Sequence, residues 1–91
     1  MEYKVHNLHE GSRDGSWLKY WEDATGKKAF FCHNSSCYAT ATDGAHVQLA
    51  DSTNRKWYIV PLCHKCNCQF GQGLTVTGPL VSATNPKIIL W

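Results

Sequence analysis

The chain has 91 residues, 43% hydrophobic, 12% aromatic and 18% charged, with a formal net charge of +2. That length holds one domain, spanning 1–91, and a composition this rich in aromatics excludes a disordered chain. No apolar run reaches the roughly 18 residues of a bilayer span, and Met1-Glu2-Tyr3-Lys4-Val5-His6 has no signal-peptide core. A soluble, cytoplasmic protein with no membrane partner is expected.

At the N-terminus Tyr3 and Val5 alternate with Lys4 and His6, the period-2 pattern of a short strand, and residues 10–16 form a polar, glycine-bearing stretch that reads as a loop. Trp17-Leu18-Lys19-Tyr20-Trp21 and Lys28-Ala29-Phe30-Phe31 flank a turn containing Gly26, so strand-forming aromatics predict a hairpin there. After Cys32 and Cys37, Asp43-Gly44 signals a turn. Ala45-His46-Val47-Gln48-Leu49 then alternates as a strand, residues 51–56 are a polar connection, and Trp57-Tyr58-Ile59-Val60 resumes the strand pattern as a second hairpin arm. Residues 63–70 contain neither Gly nor Pro and have room for two helical turns. Beyond Gly73, Leu74-Thr75-Val76-Thr77 and Ile88-Ile89-Leu90-Trp91 read as short strands.

Five cysteines in a chain without an export signal argue against a disulfide framework and for a metal. Cys32-x4-Cys37 and Cys63-x2-Cys66 are two short-spaced pairs, and each spacing lets two sulfurs converge on one tetrahedral Zn²⁺. A structural zinc site also meets a need, because a small domain gains from a clip between its halves. Cys68 is a spectator in this reading, although Cys63 with Cys68 is a feasible alternative pair, and His33 and His64 lie inside the knuckles as further donors that four thiolates make redundant.

Charge is uneven. Residues 52–91 carry Arg55, Lys56, Lys65 and Lys87 and no acid, so this half is the expected face for a polyanion, with Arg55, Lys56 and Lys65 as candidate nucleic-acid contacts. The aromatics Trp17, Tyr20, Trp21, Trp57 and Tyr58 can serve as core or as stacking surfaces for bases.

A knuckle, then Ala45-His46-Val47, then Tyr58-Ile59-Val60-Pro61-Leu62-Cys63-His64-Lys65-Cys66-Asn67 is similar to the HNH endonuclease family, whose core is a treble clef. The resemblance covers residues 32 to about 72. It implies a small zinc-stabilised α+β fold with a zinc knuckle, β-hairpin and short helix at 32–72, to which the strand patterns read above add an N-terminal β-hairpin extension at 1–31 and a C-terminal β extension at 73–91. In the family the hairpin His is the general base, and an Asp before it and an Asn on the helix hold a divalent cation. By that match His46 is the candidate base and Asn67 the candidate ligand for Mg²⁺ or Mn²⁺. Two positions depart from the pattern: Ala45 stands where a metal-binding Asp or His is expected, and Tyr58 where the family's middle Asn is expected. Asp43, two residues earlier on the strand, would share the face of Ala45 and offer a replacement carboxylate. Read without the resemblance, His46 is a satisfied strand histidine and Asn67 a helix cap.

The expected function is therefore a structural-zinc treble clef that binds nucleic acid, with DNA favoured over RNA and with little or no nuclease activity. The alternatives are an active divalent-metal-dependent HNH endonuclease and a noncatalytic module that regulates or inhibits a protein partner.

Overall fold

Alternation at the N-terminus does form a strand, β1 (Glu2–Asn7), with Val5 and Asn7 buried and Lys4 and His6 exposed. The structure, a computed structural model, describes residues 1–8, 16–50, 53–69 and 73–91. Most of the expected 10–16 loop, part of the 51–56 connection and the end of the 63–70 segment lie outside the described residues.

The hairpin expected from Trp17 to Phe31 does not form; Ser16–Thr25 is helix α1 instead. The residues themselves supply the reason. Trp17, Tyr20, Trp21 and Ala24 recur at i, i+3, i+4 and i+7, and all four pack against the same apolar cluster, so one helical face buries what the strand propensity of the aromatics was expected to place on a sheet. Trp21 is fully buried and its Nε1 donates to Pro79 O at 2.8 Å. Gly26, at φ 72°, stops the helix, and its N–H bonds Glu22 O at 2.9 Å, the left-handed cap that glycine adopts without a Cβ penalty.

The hairpin expected from the second half is present as β2 (Asp43–Leu49) and β3 (Tyr58–Leu62), antiparallel with Ala45 opposite Val60 and His46 opposite Ile59. Asp43-Gly44 is not a turn but the first two residues of β2. Helix α2 spans only His64–Asn67, one turn rather than two. The C-terminal part supplies β4 (Gly73–Thr77), β5 (Leu80–Ser82) and β6 (Ile89–Leu90). One antiparallel sheet results, in the order β4-β1-β2-β3-β5-β6. The fold is thus a small α+β arrangement of mostly antiparallel strands with few helices, as expected at that level.

Strand pleating sorts the core into two faces. On one, Val5, Ala45, Val47, Tyr58, Val60, Leu62, Val76 and Leu80 pack with Cys32, Cys63 and Cys66; on the other, Ile59 and Val81 pack under Trp21 of α1. β2 and β3 are covered on both faces, which explains their near-continuous burial.

Gly44 is where α1 crosses the sheet. A Cβ built there would lie 2.5 Å from Leu18 N and 2.5 Å from Trp17 C, both backbone atoms that cannot swing aside. Gly44→Ala should therefore push α1 off the sheet and cost about 1–3 kcal/mol, the range for overpacking a core. Urea unfolding at fixed metal concentration checks this, with a shift in tryptophan fluorescence reporting the moved helix.

Candidate metal centre and the surrounding sites

The first cysteine pair sits on a loop whose backbone is stitched to two strands. His33 N–H donates to Pro61 O at 2.9 Å, Ser35 N–H to Thr75 O at 2.9 Å, and Thr77 N–H to His33 O at 2.8 Å. The second pair flanks the start of α2, where Cys63 caps the helix and its sulfur accepts from Cys66 N–H at 3.5 Å. Together they bring one sulfur each from Cys32, Cys37, Cys63 and Cys66 within 4.8 Å of one another.

The spacing suits a metal ion. Four sulfurs at about 2.3 Å from a common tetrahedral Zn²⁺ sit about 3.8 Å apart, and Cys37 Sγ lies 3.8 Å from Cys63 Sγ. Burial pushes the Cys32 thiol up to about 12 and raises Cys66 as well, whereas Cys37 is lowered, chiefly by the backbone N–H of Ala39. Buried thiols of this kind ionise when a dication supplies the countercharge. Asn34 Nδ2 adds a donor to Cys66 Sγ at 3.3 Å, which suits a thiolate ligand. A set of four cysteines this close could hold a metal ion, plausibly zinc. His33 turns away to Thr77 O, 2.8 Å from its Nδ1, and Cys68 lies on the exposed end of α2 beside His64, outside the four-sulfur group.

A polar cluster lies next to this centre. Asp43 Oδ2 accepts from Asn67 Nδ2 at 2.9 Å and lies 3.1 Å from His64 Nδ1, while Thr42 Oγ1 donates to Oδ1 at 2.9 Å. Burial works against the Asp43 carboxylate, but the bonds from Asn67, His64 and Thr42 outweigh it and hold Asp43 below its ordinary pKa. Asn7 Nδ2 caps Asn67 O at 2.6 Å, and the side-chain oxygens of Asn7 and Asn67 are buried with no hydrogen-bond partner among the described residues.

The structure separates the two residues expected to share a catalytic site. Asn67 joins Asp43 on the thiol side of the sheet; His46, three residues along β2, points to the opposite face, 4.7 Å ring to ring from Trp17 and 5.8 Å from Trp57. Ala45 shares the side of Asp43 but is fully buried in the core. Tyr58 is core too, and its hydroxyl accepts from Asn54 Nδ2 at 2.9 Å, tying the β2–β3 connection to β3.

Around His46 lies a feature that neither cysteine spacing nor strand pattern announced. Trp17, His46, Arg55, Lys56, Trp57, Ala83 and Thr84 line an open recess of about 500 Å³. Hydrogen bonds to the backbone fix its rim: Gln48 Nε2 donates to Arg55 O at 2.8 Å, Lys56 N–H to Asn54 Oδ1 at 2.8 Å, and Ala83 N–H to Trp57 O at 2.9 Å. Of the three basic residues singled out from sequence, Arg55 and Lys56 meet here; Lys65 is exposed on α2 and is not part of the lining. The adjacency of Arg55-Lys56-Trp57 was the available signal, but the arrival of Trp17 depends on where α1 crosses.

No protein-family model matches the chain, and no curated protein or solved structure matches it.

The Asp43 cluster should be a stability element distinct from the thiol group. Asp43→Ala leaves the buried Asn67 amide and His64 without their acceptor and should cost about 1–3 kcal/mol, the penalty for orphaning such donors. Bound metal per chain should stay unchanged; a loss of metal in parallel with stability would show instead that Asp43 supports the ligands.

Proposed function

We propose that the chain is a treble-clef module, built on a structural zinc ion held by Cys32, Cys37, Cys63 and Cys66, that binds nucleic acid without cleaving it by HNH chemistry. The observation that carries the reading is the recess: two cations, Arg55 and Lys56, stand beside two tryptophans in one concavity, and no acidic side chain lines it among the described residues. Cations attract phosphates and aromatic rings accept bases, so the combination suits nucleic acid better than either alone. Four thiolates would fill a tetrahedral shell and leave no open position, which makes zinc here a clip and not a catalyst. The knuckle at 32–37, the β2–β3 hairpin and α2 follow one another in treble-clef order.

An active HNH-type nuclease is a second reading, favoured by one observation: Asp43 and Asn67 meet at 2.9 Å beside two unpartnered amide oxygens, the hard donors a divalent cation prefers. Against it, a base on the far face of β2 cannot deprotonate water held on the near face. Plasmid incubated with the protein and Mg²⁺ or Mn²⁺ should stay uncut. Cleavage abolished by EDTA and by His46→Ala would promote the nuclease.

Zinc comes first among the tests. The purified protein should carry one Zn²⁺ per chain, lose its fold when a strong chelator removes it, and keep the metal in Cys68→Ser but not in Cys32→Ser or Cys63→Ser. Structural zinc contributes on the order of 10 kcal/mol to such small domains, so the apo chain should be unfolded by circular dichroism.

Binding is tested by fluorescence anisotropy with labelled DNA at two or more salt concentrations. Affinity should fall steeply with salt, and Arg55→Ala with Lys56→Ala should make the log–log slope shallower by about 2, one for each phosphate that is no longer neutralised. Lys65→Ala should leave that slope nearly unchanged. Salt-independent binding, or none, would favour a protein partner.

A further inference from the structure

The recess is shaped for a particular form of nucleic acid. His46, almost wholly buried, forms its floor, and both tryptophans meet the imidazole edge to face, at interplanar angles of 80° for Trp17 and 76° for Trp57. These contacts fix the two indoles on a rigid base rather than leaving them on flexible stems. Trp57 remains 38% exposed, so part of its ring is open to a ligand, while Trp17 is half-buried against Tyr20 at 5.0 Å. Arg55 and Lys56 immediately precede Trp57 in the chain and are exposed at the same rim.

In a duplex each base has both faces covered by its neighbours, and only phosphates and base edges reach a protein surface. A single strand can turn a base out and lay its face on an aromatic ring while the flanking phosphates meet cations. At about 500 Å³ the recess is of the size that accepts a small planar group. Its cations and the lack of an acidic lining among the described residues match a phosphate-bearing occupant, and its tryptophans match a planar one.

We propose that the Trp17–Trp57 recess is a single-strand site that takes one unstacked nucleobase against Trp57, with Arg55 and Lys56 on the adjoining phosphates. The proposal rests on the nucleic-acid reading above and adds a substrate class to it. Binding involves no covalent step. Trp57 acts by its ring face and the two cations by charge, so the two contributions have different signatures: loss of the ring lowers affinity at every salt concentration, while loss of the cations flattens the salt dependence.

The test uses the full chain loaded with zinc and a labelled DNA strand of about 12 nucleotides, within the footprint of a small stacking site. The same strand annealed to its complement and a free mononucleotide are run in parallel. The strand should bind at least about tenfold tighter than the duplex, equivalent to about 1.4 kcal/mol. Trp57→Ala should weaken strand binding about tenfold without changing the salt slope or duplex binding, and Trp57→Phe, which keeps a ring face, should recover most of the loss. Zinc content and circular dichroism of both variants confirm the fold, and should Trp57→Ala fail to fold, Trp57→Phe against Trp57→Leu makes the same comparison. Equal affinity for strand and duplex, or equal loss on both in Trp57→Ala, overturns the single-strand site while leaving nucleic-acid binding in place. Binding of neither strand nor duplex overturns both readings, and a mononucleotide that binds as tightly as the strand reassigns the recess to a free nucleotide.

Discussion

The pleat of one strand governs what this molecule can do. β2 is covered on both faces, so its odd-numbered residues, Asp43, Ala45 and Val47, belong to the side that carries the cysteines, and Gly44 and His46 belong to the side under α1. No rotamer moves a side chain through a sheet. Once Gly44 admits the helix backbone at van der Waals contact, the histidine two residues later is committed to tryptophan neighbours, and the carboxylate one residue before Gly44 is committed to Asn67 and His64. Two sites with different chemistry are thereby built from adjacent residues and kept apart by the thickness of a β-sheet.

The four-thiol cluster complements that arrangement. α2 is a single turn, too short to be stable alone, and the 32–37 loop has no regular structure of its own beyond its bonds to β3 and β4. Neither segment supplies much apolar surface, and a metal ion shared between them would hold in place what packing cannot. Cys32, Cys63 and Cys66 also pack in the aliphatic cluster of the sheet, so a clip formed there would be anchored directly to the core.

Much of this is legible in the residues, for reasons that differ by element. The cysteine spacings declare a converging group because coordination geometry restricts which spacings work, and the strands β1, β2 and β3 are visible because alternation in Tyr3–His6 and Ala45–Leu49 survives whatever packs above it. Helix α1 is not, because aromatic strand propensity and helical spacing coexist in Trp17-Leu18-Lys19-Tyr20-Trp21, and packing chooses the spacing. The pairing of β1 with β4 joins residues some seventy positions apart, Tyr3 with Val76, and no local pattern encodes it. The recess is hidden for the same reason: Arg55, Lys56 and Trp57 are neighbours in sequence, but Trp17 reaches them only through the helix crossing at Gly44.

The bonds between the 32–37 loop and β4 have one more effect. β4 ends the sheet, and an end strand with free amides and carbonyls is a template on which another chain can add. Here Ser35 N–H occupies Thr75 O, Thr77 N–H is taken up by His33 O, and Asn34 bridges Val76, so the loop works as a cover strip over that border. Because the same loop carries Cys32 and Cys37, release of a metal ion would loosen the strip along with the ligands. An ion held by the four thiols would thus shield the sheet border from pairing with other chains as well as fix the loop.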